Sequence, residues 1–199
     1  QKHNDTVQDA KVYDFNGDGG FIDMTGNKTF IGKNSASHAD GSNGVSFKNT
    51  SIIFNDTPQE TGNLVIRNYS GDTTVIYRRD ATDVTNILGG TTTIEKATAG
   101  SNITLSTDST GIDSNDTDLV TMVLNNLAHK LFYTAYTTGE DNLKGKVQIA
   151  EGLTTSSVGK YFGEIEFDAS NNGQGSMKDG SLTKPSDTPT NPPAGDDDQ

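Results

Sequence analysis

From Gly44 to Asp108 the chain is cut into short β-favouring runs, most of them opened by a glycine-containing turn. GVSFKNTSIIFN, GNLVIRN, GDTTVIYRRD, GGTTTIEKA and GSNITLSTD follow one another. Each holds roughly four to seven residues rich in Thr, Val and Ile. In GNLVIRN, Leu64 and Ile66 face one way while Asn63, Val65 and Arg67 face the other. In SNITLST, Ile103 and Leu105 do the same. Such alternation means one face buried and one wetted. With Ile53, Ile66, Ile76, Ile94 and Ile103 as apolar references, two runs plus their turns take roughly 20 to 30 residues, the period of a stacked repeat.

Two all-β architectures produce this pattern. A β-sandwich joins antiparallel strands through tight hairpins. A parallel β-helix winds its strands into stacked coils. Two-residue Asn-Gly or Asp-Gly turns between matched strands would signal hairpins. Asn43-Gly44 and Asp18-Gly19 are present, but neither sits between two long alternating runs. The many Thr and Asn suit hydrogen bonding between coils. The reading is therefore a β-solenoid, a parallel β-helix, with the β-sandwich as its alternative.

One stretch breaks the rhythm. Leu119–Tyr136 places Val120, Val123, Leu124, Leu127, Leu131 and Phe132 on one helical stripe. Asn125, Asn126, His129 and Lys130 take much of the other side. The spacing predicts one inserted helix over about 117–133, capped by Thr117 or Asp118, with Asp116 and Asp118 favourably placed against the helix dipole. Strand rhythm resumes at Leu143–Glu151 and Lys160–Ala169, where Val147, Ile149, Ile165 and Phe167 mark the inward side. Residues 1–10 read as a frayed N-terminus, 11–183 as a single solenoid domain and 184–199 as a disordered tail. That tail holds all but one of the five prolines and ends in an acidic run.

Composition narrows the function classes. The net charge is −12, from 27 acidic and 15 basic residues, and the arginines are Arg67, Arg78 and Arg79. Nucleic-acid phosphates and anionic membrane surfaces both demand a basic stripe that this chain lacks. The chain has 199 residues, of which 30% are apolar and 22 are Gly, with no Cys. That mix suits many short strands and turns, and the missing disulfides fit a bacterial exported protein. No basic-then-apolar leader opens the sequence, so a mature form or an excised fragment is expected.

The blocks GNLVIRNYSGDTTVIYRRD, NILGGTTTIEKATAGSNITLSTD and VLNNLAHKLFYTAYTTGEDNLKGKVQIAEGLTTSS resemble a segment of the passenger regions of bacterial autotransporters, surface proteins of Gram-negative, Veillonella-like cells. The resemblance runs over about Gly62–Met177. Its most specific parts are Leu124–Glu140 and Lys146–Ser157. It implies a right-handed parallel β-helix displayed outside the outer membrane as stalk, adhesin or biofilm component. Passengers are followed by a membrane β-barrel. This sequence ends in a Pro- and Asp-rich tail instead, as a passenger piece, a processed product or a relative exported another way would.

Individual side chains add little chemistry. Asp14, Asn16, Asp18 and Gly19 match the first half of a calcium loop, with Asp23 nearby. The twelfth position, where a bidentate Glu belongs, is Thr25, so the segment reads as an Asx/Gly turn, with a looser Ca²⁺ site the weaker reading. Glu164 and Glu166 share a strand face and, with Asp168, read as a solvated face rather than a catalytic pair. Arg78 and Arg79 are adjacent, so on a strand they point opposite ways. His3, His38 and His129 show no zinc spacing. The N-x-[ST] triplets at Asn4, Asn27, Asn49, Asn55, Asn68, Asn102 and Asn115 fit the chain's Asn and Thr content. Tyr133, Tyr136, Tyr161, Phe132 and Phe162 read as packing around the helix. No catalytic, cofactor-binding or metal-ligating residue is assigned. The expectation is a non-enzymatic passenger module in adhesion, spacing or biofilm structure, displayed outside the cell or secreted. Its expected partners are host or bacterial surface glycans or proteins, or itself. A self-assembling extracellular fibre subunit and a glycan-cleaving β-helix enzyme are the alternatives.

Overall fold

A computed structural model describes residues 69–150 and 161–184 continuously and, ahead of them, the backbone of eight strands. These eight are β1 (His3–Thr6), β2 (Val12–Tyr13), β3 (Asn16–Asp18), β4 (Gly20–Asp23), β5 (Thr29–Gly32), β6 (Val45–Lys48), β7 (Ser51–Phe54) and β8 (Asn63–Ile66). Next come β9 (Tyr69–Tyr77), β10 (Arg79–Asp80), β11 (Asp83–Ile87), β12 (Thr92–Ile94) and β13 (Ser101–Asp108). The helix α1 (Thr117–Ala128) separates these from β14 (Leu131–Tyr133), β15 (Leu143–Ala150), β16 (Tyr161–Asp168) and β17 (Gln174–Met177). The chain is thus mostly β with one helix, as its sequence suggests.

Most strands join one large curled sheet with two arms. One arm runs β1–β4–β7–β9–β13–β15 and the other β2–β5–β8–β12–β14, with parallel pairing throughout both. Register is held over the whole of β13, from Ser101 opposite Leu143 to Asp108 opposite Ala150. At the C-terminal side the arms are joined by β16 and β17, which run antiparallel to β15, to each other and to β14. Among the described residues the other antiparallel pairings are the small β10–β11 hairpin and a single bridge between Phe162 and Thr183. The strands at 143–150 and 161–168, expected to continue the earlier rhythm, therefore oppose one another. Among the described residues antiparallel pairing, the mark of a sandwich, is confined to these places.

Alternation places the core between the arms. Val75, Leu105 and Val147 form one inward row across β9, β13 and β15. Leu64, Thr92 and Leu131 form another across β8, β12 and β14, and Ile66, Ile94 and Tyr133 form the next. All six of those residues are fully buried. Burying each large aliphatic side chain contributes about 1.5–3 kcal/mol. Tyr77 ties the arms through a 2.8 Å hydrogen bond between its hydroxyl and that of Thr92. Ile76, one of the apolar reference positions, is buried but lies outside this core. It belongs to the opposite face of the sheet with Ser106 and Gln148, which are also buried and share a 3.1 Å hydrogen bond. That face is thus not uniformly wetted.

Helix α1 differs from expectation at both ends. Its N-cap is Asp116, whose carboxylate accepts from the Leu119 N–H at 3.1 Å. It stops at Ala128, so Leu131, Phe132 and Tyr133 are strand rather than helix. The cause is the open β12 ladder: Thr92, Thr93 and Ile94 pair with these three residues in parallel. Strand geometry buries Leu131 and Tyr133 together, two residues apart. The predicted stripe of Val120, Val123, Leu124 and Leu127 is fully buried. Asn125 and Asn126, on the other side, bind flanking backbone. Asn125 Oδ1 accepts from the Met177 N–H at 2.9 Å, and Asn126 Nδ2 donates to the Thr85 carbonyl at 2.9 Å.

Candidate functional site

Arg78, between β9 and β10, and Arg79, the first residue of β10, have opposite fates, as neighbours in extended chain should. Arg78 is exposed, while the Arg79 side chain is only 3% accessible. Arg79 Nη2 meets Asp108 Oδ1 at 3.2 Å and donates to the Asp108 and Thr110 carbonyls at 2.7 Å each. Its Nη1 donates to the Val84 carbonyl at 3.0 Å and its Nε to Thr107 Oγ1 at 3.2 Å. Burial pulls the guanidinium pKa down, and Asp108 opposes that pull. Such a fork fastens the β10–β11 hairpin to the end of β13, and its role is structural.

A second buried network surrounds Tyr133. Its hydroxyl donates to Glu140 Oε2 at 2.5 Å and accepts from the Asn142 N–H at 3.1 Å. Glu140 Oε2 also accepts from the Ala97 N–H at 3.0 Å, and Asn142 Nδ2 donates to the Ala97 carbonyl at 2.9 Å. Together they sew the turn after β12 to the segment that leads into β15. Burial, then the Glu140 hydrogen bond, pushes the Tyr133 phenol well above its ordinary value. The ring stands edge-on to Phe167 with centroids 5.1 Å apart, and Tyr136 packs on the same Phe167 at 5.7 Å. Tyr161 donates from its hydroxyl to the Ser114 carbonyl. Tyr133, Tyr136 and Tyr161 pack in or against the core, as their positions around the helix suggest, whereas Phe162 lies on the outer face opposite Gln148 and Phe132 packs outside the core.

Two larger surface grooves lie among the described residues. One, of about 450 Å³, lies on the outer face of β9, β13, β15 and β16. In register order it presents Asp72, Asn102 and Lys144, then Thr104, Lys146 and Glu164. Lys146 Nζ sits 5.4 Å above the Phe162 ring. A surface of alternating carboxylate, amide, hydroxyl and ammonium groups can hold a polar ligand by hydrogen bonds. The other groove, of about 410 Å³, runs between α1 and residues 177–182 and is lined by Met122, which is 52% exposed, Met177 and Leu182 with Asp118 and Lys178.

Glu164, Glu166 and Asp168 are exposed on the outward side of β16 while Ile165 is buried, the solvated-face arrangement anticipated for them. Asn16 and Asp18 lie on β3, whose backbone is an extended strand paired with β6 rather than the expected turn. The parallel ladder to Ser46, Phe47 and Lys48 is what straightens it. Asp23 ends β4, whereas Asp14 and Thr25 fall outside the described residues, as do His38 and the tail beyond Lys184. His129 is the exposed C-cap of α1. Of the N-x-[ST] triplets, Asn102 sits on β13 and Asn115 in the turn before α1, both exposed. Among the described residues no three His, Asp or Glu gather as metal ligands, and no helix is long and apolar enough to cross a membrane.

Acidic residues have a use that composition alone does not reveal. Asp80, Asp83, Asp108, Asp113 and Asp168 each accept, through Oδ1, from the backbone N–H two residues on. The partners are Thr82, Thr85, Thr110, Asn115 and Ser170. These Asx turns follow from Asp-x-[Ser/Thr/Asn] spacing. Arg79–Asp108 and Tyr133–Glu140 had no comparable short-range signal, since their partners lie in separate elements.

No known protein family, curated protein or solved structure matches this chain.

Proposed function

We propose that this chain is a β-solenoid, with two arms built as stacked parallel coils, and that it serves as a non-enzymatic bacterial passenger module. In this reading it is exported, displayed at the cell surface or secreted, and works as a stalk, adhesin or biofilm component. The observation that carries the reading is the in-register parallel pairing of successive strands along both arms, above all β9–β13–β15. Parallel pairing of this kind extends a rod by repetition and leaves long polar flanks for contact with other surfaces. The groove of Asp72, Asn102, Thr104, Lys144, Lys146 and Glu164 is the flank we assign to surface glycans or proteins. The acidic balance supports solubility outside the cell. The likeness of Leu124–Glu140 and Lys146–Ser157 to autotransporter passengers supports the same reading.

The test is export and contact. The chain is placed between a secretion leader and an outer-membrane β-barrel in a Gram-negative host. Intact cells should display it to added protease as a resistant folded core. Those cells should also bind glycan- or protein-coated surfaces more than cells displaying Lys144→Glu with Lys146→Glu. Retention inside the envelope, or binding indifferent to those changes, would count against the assignment.

A further inference from the structure

The two arms end differently from the way they run. Every strand pair along them is parallel, yet at β14 and β15 the ladders pass to an antiparallel hairpin that bridges both arms. β16 covers the free edge of β15 from Gly145 to Ile149. β17 meets β14 at Phe132, opposite Gln174, and the Tyr133 N–H donates to the Gly173 carbonyl at 2.9 Å. The hairpin is seated by a close approach that only glycine permits. Gly173 has φ +73°, and a Cβ there would lie 1.9 Å from the Tyr133 carbonyl oxygen. At Gly175 a Cβ would lie 2.7 Å from the Ala128 carbonyl oxygen. Gln174 Nε2 donating to the His129 carbonyl at 3.0 Å, and the bond from Met177 to Asn125, lash the same hairpin to α1.

We infer that β16–β17 is a stopper over a latent self-association surface, and that the partner this surface fits is a second copy of the chain. An uncovered strand edge is a row of unpaired N–H and C=O groups that templates another strand. Here two such edges would open together at a fixed separation, each the last strand of a parallel ladder and each held in register by the arm behind it. A partner must present two strands with that separation and direction, and another copy's arms have both by repetition. Pairing of this head-to-tail kind does not close on itself, so it propagates. The hairpin ends each arm and confines the chain to single modules. This inference rests on the stacked-coil reading of the arms.

The test uses the full chain. Gly173→Val should unseat β17 from β14 and loosen the hairpin. Sedimentation should then change from a size independent of concentration to species that grow with it, with fibre diffraction near 4.8 Å along the growth axis. Leu64→Ala, which weakens the core and leaves the hairpin alone, should lower the melting temperature without such growth. Lys146→Cys with Glu164→Cys, residues directly opposite across β15 and β16, should hold β16 on β15 by a disulfide and so keep one of the two edges a partner needs covered. In the Gly173→Val background the oxidised form should stay monomeric, and a thiol reductant should release assembly. Growth that is equal in Leu64→Ala, amorphous aggregates without the reflection, or assembly indifferent to reductant would each overturn the inference. Failure of Asn102→Cys with Lys144→Cys to cross-link in the otherwise unchanged chain would overturn the stacked-coil reading beneath it. Cross-linking in a Gly173→Val chain that stays monomeric would overturn the stopper alone.

Discussion

Arg79 Nη2 and Asp108 Oδ1 lie 3.2 Å apart, with the arginine side chain 3% accessible and the aspartate 19%. The pair is unequal, because Arg79 also satisfies the Val84, Asp108 and Thr110 carbonyls. Removing Arg79 therefore strands several acceptors. Arg79→Met should cost about 3 kcal/mol. Asp108→Asn keeps an acceptor near the guanidinium and loses only the charge, so it should cost about 1 kcal/mol. Urea unfolding of both variants measures the difference, and equal losses would contradict this account of the pair.

Tyr133 gives a second expectation. Tyr133→Phe keeps the ring against Phe167 but removes the donor to Glu140 and the acceptor for the Asn142 N–H. The loss should be about 1–3 kcal/mol, the cost of buried groups left unpaired. Because the folded-state phenol is raised, the native chain holds this proton more tightly than the unfolded chain. Its contribution is complete below the ordinary tyrosine value and is lost as pH rises above it. Melting temperature followed into alkali should fall less steeply in Tyr133→Phe than in the parent.

Acid acts through the Asx turns. Hydrogen bonds from Thr82 hold the Asp80 carboxyl below its ordinary value, and those from Ser170 do the same for Asp168. Their contribution is present above the ordinary carboxylate range and is lost as pH falls through the lowered folded values. Asp80→Asn with Asp168→Asn should therefore flatten the acid limb of the stability–pH curve. Calorimetric melting between neutral pH and pH 3 checks this, and an unchanged limb would contradict it.

Much of the β pattern is legible from local spacing. Leu64, Ile66, Ile103 and Leu105 point inward because alternation along a strand has only two choices. Val120, Val123, Leu124 and Leu127 bury themselves at helical spacing for the same kind of reason. The end of α1 was hidden because Leu131 stands four residues after Leu127, a spacing that serves a continuing helix and a following strand alike. No glycine marks the exit: the C-cap is His129. The reversal at β16 was equally hidden, since strand direction depends on which edge a run meets and not on its own residues. Of the outer groove, Lys144, Lys146 and Glu164 are visible as outward positions. Their alignment with Asp72 and Asn102 comes only from register. Ile76, Ser106 and Gln148 show the limit of alternation, which names a face without saying whether that face is covered.

The helix start offers a compact check. Asp116, and not Thr117 or Asp118, accepts from the Leu119 N–H. Asp116→Ala should cost about 1 kcal/mol, while Asp118→Ala should cost less, because Asp118 acts only through the helix dipole. Thermal melts of the two variants would reverse this order if the cap were misassigned.

Parallel register between β13 and β15 carries the rest. Asn102 lies opposite Lys144 and Thr104 opposite Lys146, and directly paired strand residues stand within reach of a disulfide. Double-cysteine variants at 102/144 and at 104/146 should both oxidise readily. Variants at 102/146 and 104/144 should oxidise poorly. If the second two cross-link and the first two do not, the strands run in opposite directions and the stacked-coil account fails.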